Sequence, residues 1–220
     1  AKASPPRSIQ PALYQVASGH WINIGGPPGP FLSQVALARD AGVNLVSFSA
    51  PECWSPPERP VDWSPIDSLC RRIISVNPNV LLVPRVGADA PGWWLERHPQ
   101  SRMVYDLDKV RADRASVSDR AYRTDAAAHL ERLCRHLCEA FPLHFAGIHP
   151  CGQNTGEWFY QGSWERPLSG YDAATVAAFR AWLKSRGHRD SETATVPTDT
   201  ERRGHPFGFL RDPAREQRLI

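Results

Sequence analysis

The sequence predicts an α/β fold of the (β/α)8 TIM-barrel type, in which each strand of a parallel sheet is followed by a helix. Strand and helix patterns alternate four times along the chain, an order typical of parallel sheets with crossover connections. Two of the strand runs are apolar at consecutive positions, as in strands buried on both faces. An open doubly wound sheet is the alternative. The proline-rich stretch from Gly25 to Gly29 lacks the row of N–H groups that binds phosphate in nucleotide-binding open sheets.

The first two strand–helix units lie in the N-terminal part of the chain. A weak strand pattern lies within residues 13–18, and a helix is expected from Phe31 to Ala41, before Gly42. Residues 43–49 form a β-rich run. The next helix is expected to have Ser64 as its N-cap and Pro65 at its first position. Its apolar residues recur at helical spacing, namely Ile66, Leu69, Cys70, Ile73 and Ile74.

Two further units follow the break at residues 77–79. Residues 80–83 and residues 144–149 are the strand candidates. Asp172 is the expected N-cap of a last helix that carries Val176, Phe179 and Leu183 and ends at Gly187. The clearest helix lies between those two strands. Its apolar face contains Tyr122, Ala126, Leu130, Leu133, Cys134, Leu137, Cys138 and Phe141, while Arg123, His129, Arg132, Arg135 and Glu139 lie off that face.

The length of 220 residues is enough for one sizeable domain. The fourth unit ends only at Gly187, however, whereas a complete barrel has eight units in about 250 residues or more. Asp212 and Pro213 have the pattern of a new helix start shortly before the last residue, Ile220. We therefore expect residues 1–220 to form the N-terminal half to two-thirds of a single barrel domain.

Composition excludes several classes of function. The net charge is +3 with scattered basic residues, which disfavours nucleic-acid binding, and no apolar run is long enough to cross a membrane. His149 and Cys151, with His136 or Cys138, match no compact ligand spacing, so we expect no metal and no cofactor. The five cysteines leave the compartment open, a secreted or periplasmic location included. The oligomeric state is also open, with a homo-oligomer as one option.

Polar side chains follow three of the predicted strands, at the ends where functional residues collect in α/β proteins. Glu52 follows the first clear strand, and Arg85 and Asp89 follow the second. The third is followed by His149, Gln153, Asn154 and Glu157. Carboxylates exchange protons with a glycosidic oxygen, and amides and Arg hold hydroxyls. Tryptophan rings can stack on sugar rings, and five tryptophans are interleaved with these polar residues: Trp54, Trp93, Trp94, Trp158 and Trp164. The pattern predicts a carbohydrate site, with Trp93 or Trp158 as stacking platform.

Glu157 is the best candidate for a catalytic acid. Gly156 and Trp158 flank it, and a carboxylate beside an aromatic ring has a raised pKa, as a general acid requires. The other residues have structural alternatives. Glu52 and Glu58 suit salt bridges in loops, and any single tryptophan suits the core. Arg85 suits an ion pair with Asp89 or Glu52.

Three stretches of the chain resemble the family 42 β-galactosidase-type glycoside hydrolases, within the retaining clan of (β/α)8 barrels. They are residues 41–48, residues 57–67 and residues 90–99, the last reading Ala-Pro-Gly-Trp-Trp-Leu-Glu-Arg-His-Pro. The resemblance implies that Glu157 is the acid/base and Asn154 the neighbouring amide. In the family the Glu directly follows the Asn, whereas Thr155 and Gly156 stand between them here. The resemblance also implies that the nucleophile comes from a seventh strand, beyond Ile220.

We therefore expect a glycoside hydrolase acting on a β-linked sugar. The alternatives are a non-catalytic carbohydrate-binding barrel, an inactive fragment of such an enzyme, or a structural α/β domain whose edge residues form only salt bridges. Glu157 is expected at the carboxyl edge of the sheet, within reach of Arg85 or Asn154. If the second carboxylate lies beyond Ile220, the chain alone should hydrolyse glycosides poorly and leave apolar sheet surface uncovered.

Overall fold

The computed structural model describes residues 12–14, 30–105, 111–153 and 168–203. Along the chain these residues form β1 (Ala12–Tyr14), α1 (Pro30–Asp40), β2 (Leu45–Ser49), α2 (Ser64–Val76), β3 (Leu81–Gly87), α3 (Gly92–Arg97), β4 (Arg102–Val104), β5 (Arg111–Ala115), α4 (Arg120–Ala140), β6 (His149–Cys151), α5 (Ala173–Ser185) and α6 (Asp199–Arg203). A 3₁₀ turn at Pro99–Ser101 precedes β4. No helix among these residues is both long and apolar enough to cross a membrane.

Four strands form a parallel sheet in the order β1-β2-β3-β6. Across the sheet the four strands follow one another in the order in which they occur along the chain, as the alternation of strands and helices predicts. The parallel α/β organisation is thus confirmed for the described part of the chain. Within that part the sheet has β1 and β6 at its edges and does not form the closed ring of a barrel.

The chain divides into two compact units. The first contains residues 1–89 and 126–152, and the second contains residues 90–125 and 153–220. The sheet, α1, α2 and most of α4 belong to the first unit. Its hydrophobic core lies between one face of the sheet and these helices and includes Phe31, Val35, Val46, Phe48, Ile66, Leu69, Ile73, Leu82, Val86, Leu133, Leu137 and Phe141.

The helix α2 begins where its proline predicts but is capped differently. Ile66, Leu69, Cys70 and Ile73 are buried as expected, whereas the N-cap is Trp63 rather than Ser64. The oxygen Oδ1 of Asp62 accepts hydrogen bonds from the Ser64 N–H at 2.9 Å and the Ser64 hydroxyl at 2.6 Å. These two bonds lower the pKa of Asp62. The prediction of Ser64 as cap was wrong because the acceptor for this turn comes from the preceding aspartate.

The boundaries of α1 and α5 agree with their predicted signals. Gly42, just after α1, has φ 76°, a conformation that glycine adopts without steric cost. Asp172 caps α5 by accepting from the Thr175 N–H at 2.9 Å. After α5, Gly187 has φ 79°, and the His188 N–H donates to the Leu183 carbonyl at 3.1 Å, which is the Schellman pattern of helix termination.

The strand predicted at residues 144–149 lies further along the chain. Phe145 forms only an isolated bridge to Leu82, and the fourth strand of the sheet is β6, at His149–Cys151. Gly147, between them, has φ 151°, which interrupts the regular ladder. The predicted strand, at the apolar run 145–148, therefore begins a few residues before the observed one, because periodicity does not show where a glycine breaks the pairing.

The helix α4 confirms the predicted apolar face with two corrections. His129 is buried although it was placed off that face, and Cys138 is exposed although it was expected in the core. His129 lies three residues after Ala126 and four before Leu133, which is the spacing of the buried stripe. The prediction placed His129 off the apolar face only because its side chain is polar. Cys70 is buried as predicted, and Cys134 is half-buried.

The second unit contains an antiparallel pair that the sequence did not predict. The strands β4 and β5 pair with Arg102 opposite Ala115. Their charged and alternating residues gave no continuous apolar run, because an antiparallel pair needs apolar residues on one face only. In the same unit Trp94 is buried, its Nε1 donates to Asp125 Oδ2 at 2.8 Å, and its ring stacks on His98 at 4.1 Å between centroids.

Candidate functional site

The two faces of the parallel sheet differ in chemistry. On the face that packs against the helices, Val46, Phe48, Leu82 and Val86 are buried in the core. Side chains alternate between faces along a strand, so the residues between these lie on the opposite face. There β2, β3 and β6 carry Ser47, Ser49, Val83, Arg85, His149 and Cys151. We call this the polar face. Polar groups gathered toward the carboxyl ends of parallel strands mark the usual position of a binding site.

Arg85 lies in the middle of a row across three strands. Its Cα is paired with Ser49 of β2 on one side and His149 of β6 on the other, so the three side chains share the polar face. Arg85 is only 8 % exposed, which is unusual for a guanidinium group. Its Nε donates a hydrogen bond to the Cys151 Sγ at 3.3 Å. An ion pair with Asp89 or Glu52 was the structural alternative for Arg85, and the contact with this thiol was not predicted.

Cys151 is held by several contacts at the end of β6. Its thiol donates to the carbonyl of His149 at 3.3 Å, and its own carbonyl accepts from the Ala88 N–H at 2.6 Å. The residue is 6 % exposed. Cys151 therefore connects the ends of β3 and β6 through both its backbone and its side chain.

Two features indicate room for a polar ligand on this face. Ser47 is 6 % exposed, and its hydroxyl has no hydrogen-bond partner among the described residues. A buried hydroxyl without a partner is costly, so its presence suggests a function. Gly87, the register partner of Cys151, has open space where a side chain would begin, since a Cβ built there meets no atom within 4 Å.

The loop after β2 places its aromatic residue inside the protein. Glu52 is exposed, Asp89 after β3 is half-buried, and Trp54 is buried. The Trp54 ring stacks on the His129 ring at 5.1 Å between centroids and an interplanar angle of 3°. Trp54 therefore packs against α4. Burial, and secondarily the charge of Glu52, raises the pKa of the Cys53 thiol to about 11, which keeps this thiol protonated at neutral pH.

His129 is a buried titratable residue that the sequence analysis missed. It is 1 % exposed, and its Nδ1 has no hydrogen-bond partner among the described residues. Burial, and secondarily the charge of Arg132, lowers the pKa of His129 to about 4. The imidazole is therefore neutral at physiological pH.

Other predicted site residues lie in the second unit or outside the described residues. Trp93 is half-buried, and the Arg97 guanidinium lies 5.2 Å from the centroid of its ring. Asn154, Glu157 and Trp158 lie outside the described residues, as does Trp164. Gln153, two residues after β6, is buried and has φ 61°, a backbone conformation that is uncommon for a residue other than glycine.

The described ranges contain no cluster of side chains that could bind a metal ion. Across residues 12–14, 30–105, 111–153 and 168–203, no group of three or more His, Cys, Asp or Glu side chains is placed to hold a metal ion. His136 instead stacks on Trp63 at 4.7 Å between centroids, and its Nε2 lies 2.7 Å from Asp67 Oδ1. This half-buried pair connects α4 to α2.

Known structures of glycoside hydrolases share this arrangement of strands and helices. The catalytic domain of a β-amylase from Paenibacillus polymyxa is similar with a TM-score of 0.59 at 14 % identity, over 81 % of this chain and 52 % of that domain. A β-galactosidase from the haloarchaeon Halorubrum lacusprofundi is similar with a TM-score of 0.50 at 20 % identity, over 92 % of this chain and 27 % of that protein. A family 42 β-galactosidase from G. stearothermophilus gives a TM-score of 0.49 at 18 % identity, over 77 % and 26 % of the two chains.

These similarities establish the fold and only the fold. Neither the protein-family models nor the curated proteins give a sequence match. The chain spans about half the length of the β-amylase catalytic domain and about a quarter of the β-galactosidases. The described part of the chain therefore has an α/β fold similar to part of the β-amylase catalytic domain.

Proposed function

We propose that this chain belongs to a glycoside hydrolase that acts on a β-linked sugar, with the polar face of the sheet as its sugar site. The observation that carries the proposal is the row of Ser49, Arg85 and His149 across three adjacent parallel strands, in which Arg85 is buried and its two neighbours are half-buried. Parallel sheets bind their ligands at the carboxyl ends of the strands, and the likeness to the β-amylase catalytic domain supports a glycosidase-like fold. We extend the proposal to a (β/α)8 barrel whose first four strands are β1, β2, β3 and β6.

Arg85 has the central binding role in this proposal. A guanidinium presents several N–H donors in a fixed plane, which suits two neighbouring hydroxyls of one sugar ring. His149 and Ser49 flank it in the row, and the open space beside Gly87 leaves room for part of the ring. Glu52 and Asp89, in the segments after β2 and β3, supply further acceptors for sugar hydroxyls.

Glu157 is the proposed general acid/base. It follows β6 by six residues, and β6 ends at the same edge of the sheet as β3. Its role is to protonate the leaving-group oxygen and then to deprotonate the attacking water. Asn154 is the proposed partner of the sugar's 2-hydroxyl, and Trp93 or Trp158 the proposed stacking platform.

Sugar binding is the first test. The 220-residue chain is titrated by calorimetry or NMR with a panel of β-linked disaccharides and their monosaccharides. Replacing Arg85 by Met should weaken binding at least about tenfold, because hydrogen bonds from a charged donor are lost. Arg135→Met is the matched control, since Arg135 is exposed on α4 and pairs with Glu131. Absence of binding to every sugar, or equal binding by Arg85→Met, would contradict the proposed site.

Hydrolysis is the second test, and it addresses Glu157. Aryl β-glycosides with leaving groups of different pKa are assayed with the wild type and Glu157→Gln. Loss of the acid should slow substrates with poor leaving groups by about 10²–10⁴-fold and those with activated leaving groups much less. Glu139→Gln, on the exposed side of α4, is the control. An equal loss for all leaving groups would argue against the acid role of Glu157.

A further inference from the structure

The thiol of Cys151 accepts a hydrogen bond from the Arg85 Nε, and this contact carries an inference about the site. The nitrogen Nε lies at the root of the guanidinium, between the flexible side chain and the planar head. A hydrogen bond from Nε to Cys151 Sγ at 3.3 Å therefore fixes the plane of the whole head. No candidate role was assigned to this contact by sequence, because residues 66 positions apart show no relation in a linear pattern.

Cys151 is itself placed rigidly. Its thiol donates to the His149 carbonyl at 3.3 Å while the sulfur accepts from Arg85. Its backbone carbonyl accepts from Ala88, and its Cα is paired with Gly87 of β3. The position of the sulfur is thus set by the pairing of β3 and β6, and so is the direction in which Arg85 points.

The surroundings of this contact support a ligand site beside it. Ser47 is 6 % exposed on the same face, one strand away from Arg85, and its hydroxyl has no hydrogen-bond partner among the described residues. The register partner of Cys151 is Gly87, where a Cβ would meet no atom within 4 Å. A thiol in a purely structural contact would not require these neighbours. Holding an arginine in one rotamer before binding reduces the entropy lost when it binds.

We infer that Cys151 is a positioning residue of the proposed sugar site, whose thiol orients the Arg85 guanidinium toward two neighbouring sugar hydroxyls. The inference rests on the proposed function for the nature of the ligand, whereas the Arg85–Cys151 contact stands independently of it. It predicts that the exchange of the Arg85 Nε–H and the sugar affinity depend more on the hydrogen-bonding capacity of residue 151 than on its volume.

Two substitutions separate these properties. Cys151→Ser keeps a side-chain donor and acceptor with one smaller atom, and Cys151→Ala removes both. Cys70→Ala is the control for losing a buried thiol, because Cys70 belongs to α2 and lies in the hydrophobic core. All variants are made in the full 220-residue chain, and urea denaturation is recorded for each so that changes in stability are known.

The first measurement does not involve a sugar. The Arg85 Nε–H signal is assigned in the ¹⁵N NMR spectrum with the help of Arg85→Lys, and its exchange with water is measured. We expect exchange at least about tenfold faster in Cys151→Ala than in the wild type, because a bonded N–H exchanges slowly. Cys151→Ser and Cys70→Ala should stay close to the wild type. An unchanged signal in Cys151→Ala would overturn the inference.

The second measurement is the affinity for the best sugar of the panel. Cys151→Ala should bind about tenfold more weakly because Arg85 must then be ordered on binding, and Cys151→Ser should restore most of the affinity. Wild-type affinity in Cys151→Ala, with a shifted Arg85 signal, would overturn the positioning role alone. If the wild type binds no sugar, the proposed function fails, and the positioning role toward a sugar fails with it. An Arg85 signal that still responds to Cys151→Ala would show in that case that the Arg85–Cys151 contact itself exists.

Discussion

The two faces of the parallel sheet use the same three strands for opposite purposes. Toward the helices, Val46, Phe48, Leu82 and Val86 are apolar and at most 2 % exposed. On the polar face, Ser47, Arg85 and Cys151 are also buried, yet they are polar. Buried side chains therefore lie on both faces and differ in chemistry, although Ser49, Val83 and His149 on the polar face are only half-buried. Buried apolar groups provide stability, whereas buried polar groups are retained at a cost in stability, which supports the proposed site on the polar face.

The largest expected difference between the faces is in stability. Phe48 is completely buried in the core, so Phe48→Ala should lower the free energy of unfolding by about 3–5 kcal/mol. Urea denaturation followed by circular dichroism measures it. The neighbouring Ser49→Ala, on the polar face, should change it by less than about 1.5 kcal/mol. Equal losses at the two positions would show that the polar face is a second core.

Much of the fold followed from the sequence because the signals were local. The apolar stripe of α2, the Asp172 cap and the glycine that ends α5 each act within a few residues, and the alternation of strands and helices predicted the parallel sheet. The antiparallel pair β4 and β5 and the shift of β6 were missed. Both depend on how strands pair and on where the pairing breaks, which the periodicity of a single segment does not register.

The candidate site was predictable only in part for the same reason. Placing polar residues after strands selected Arg85 and His149, because strand ends meet at one edge. Neither Cys151 nor Ser47 was selected as a site residue, since it is pairing with β3 that places each of them on the polar face. His129 was excluded by its polarity, although its spacing matched the buried stripe.

His129 is a polar exception on the helix side of the sheet, and it should make stability depend on pH. Its pKa is lowered to about 4 in the folded protein, against about 6.5 when unfolded. Above pH 6.5 the residue is neutral in both states. Between pH 6.5 and 4 only the unfolded state takes up the proton, so stability falls as the pH falls, by up to about 3 kcal/mol at pH 4.

The measurement compares the wild type with His129→Phe, which keeps a ring against Trp54. Urea denaturation is carried out from pH 8 to pH 4. Carboxylates contribute to both proteins alike, so the difference between the two curves isolates His129. We expect the curves to diverge below pH 6.5, with the variant relatively more stable at low pH. Parallel curves would mean that His129 takes up protons equally in the two states.

A smaller effect is expected at Ser47, with the opposite sign from most core substitutions. Its buried hydroxyl has no partner among the described residues, so Ser47→Ala should raise the free energy of unfolding by about 1 kcal/mol. Ser116 is the matched control, because it is equally buried but pairs with Thr175 Oγ1 at 3.2 Å and accepts from the Ser118 N–H at 3.2 Å. Ser116→Ala should therefore destabilise. If Ser47→Ala also destabilises, the hydroxyl has a structural bond and the polar face loses one of its indications of function.

The smallest change in stability, together with a large change in binding, is expected at Gly87. A Cβ there meets no atom within 4 Å, so Ala, Val and Leu at this position should leave the free energy of unfolding within about 1 kcal/mol of the wild type. Each larger side chain extends further over the polar face beside Cys151, into the space proposed for the sugar. Sugar affinity should therefore fall stepwise from Ala to Leu while the denaturation curves stay together. Because stability and binding are measured on the same three proteins, loss of fold cannot imitate loss of the site, and full affinity in Gly87→Leu would place the sugar elsewhere.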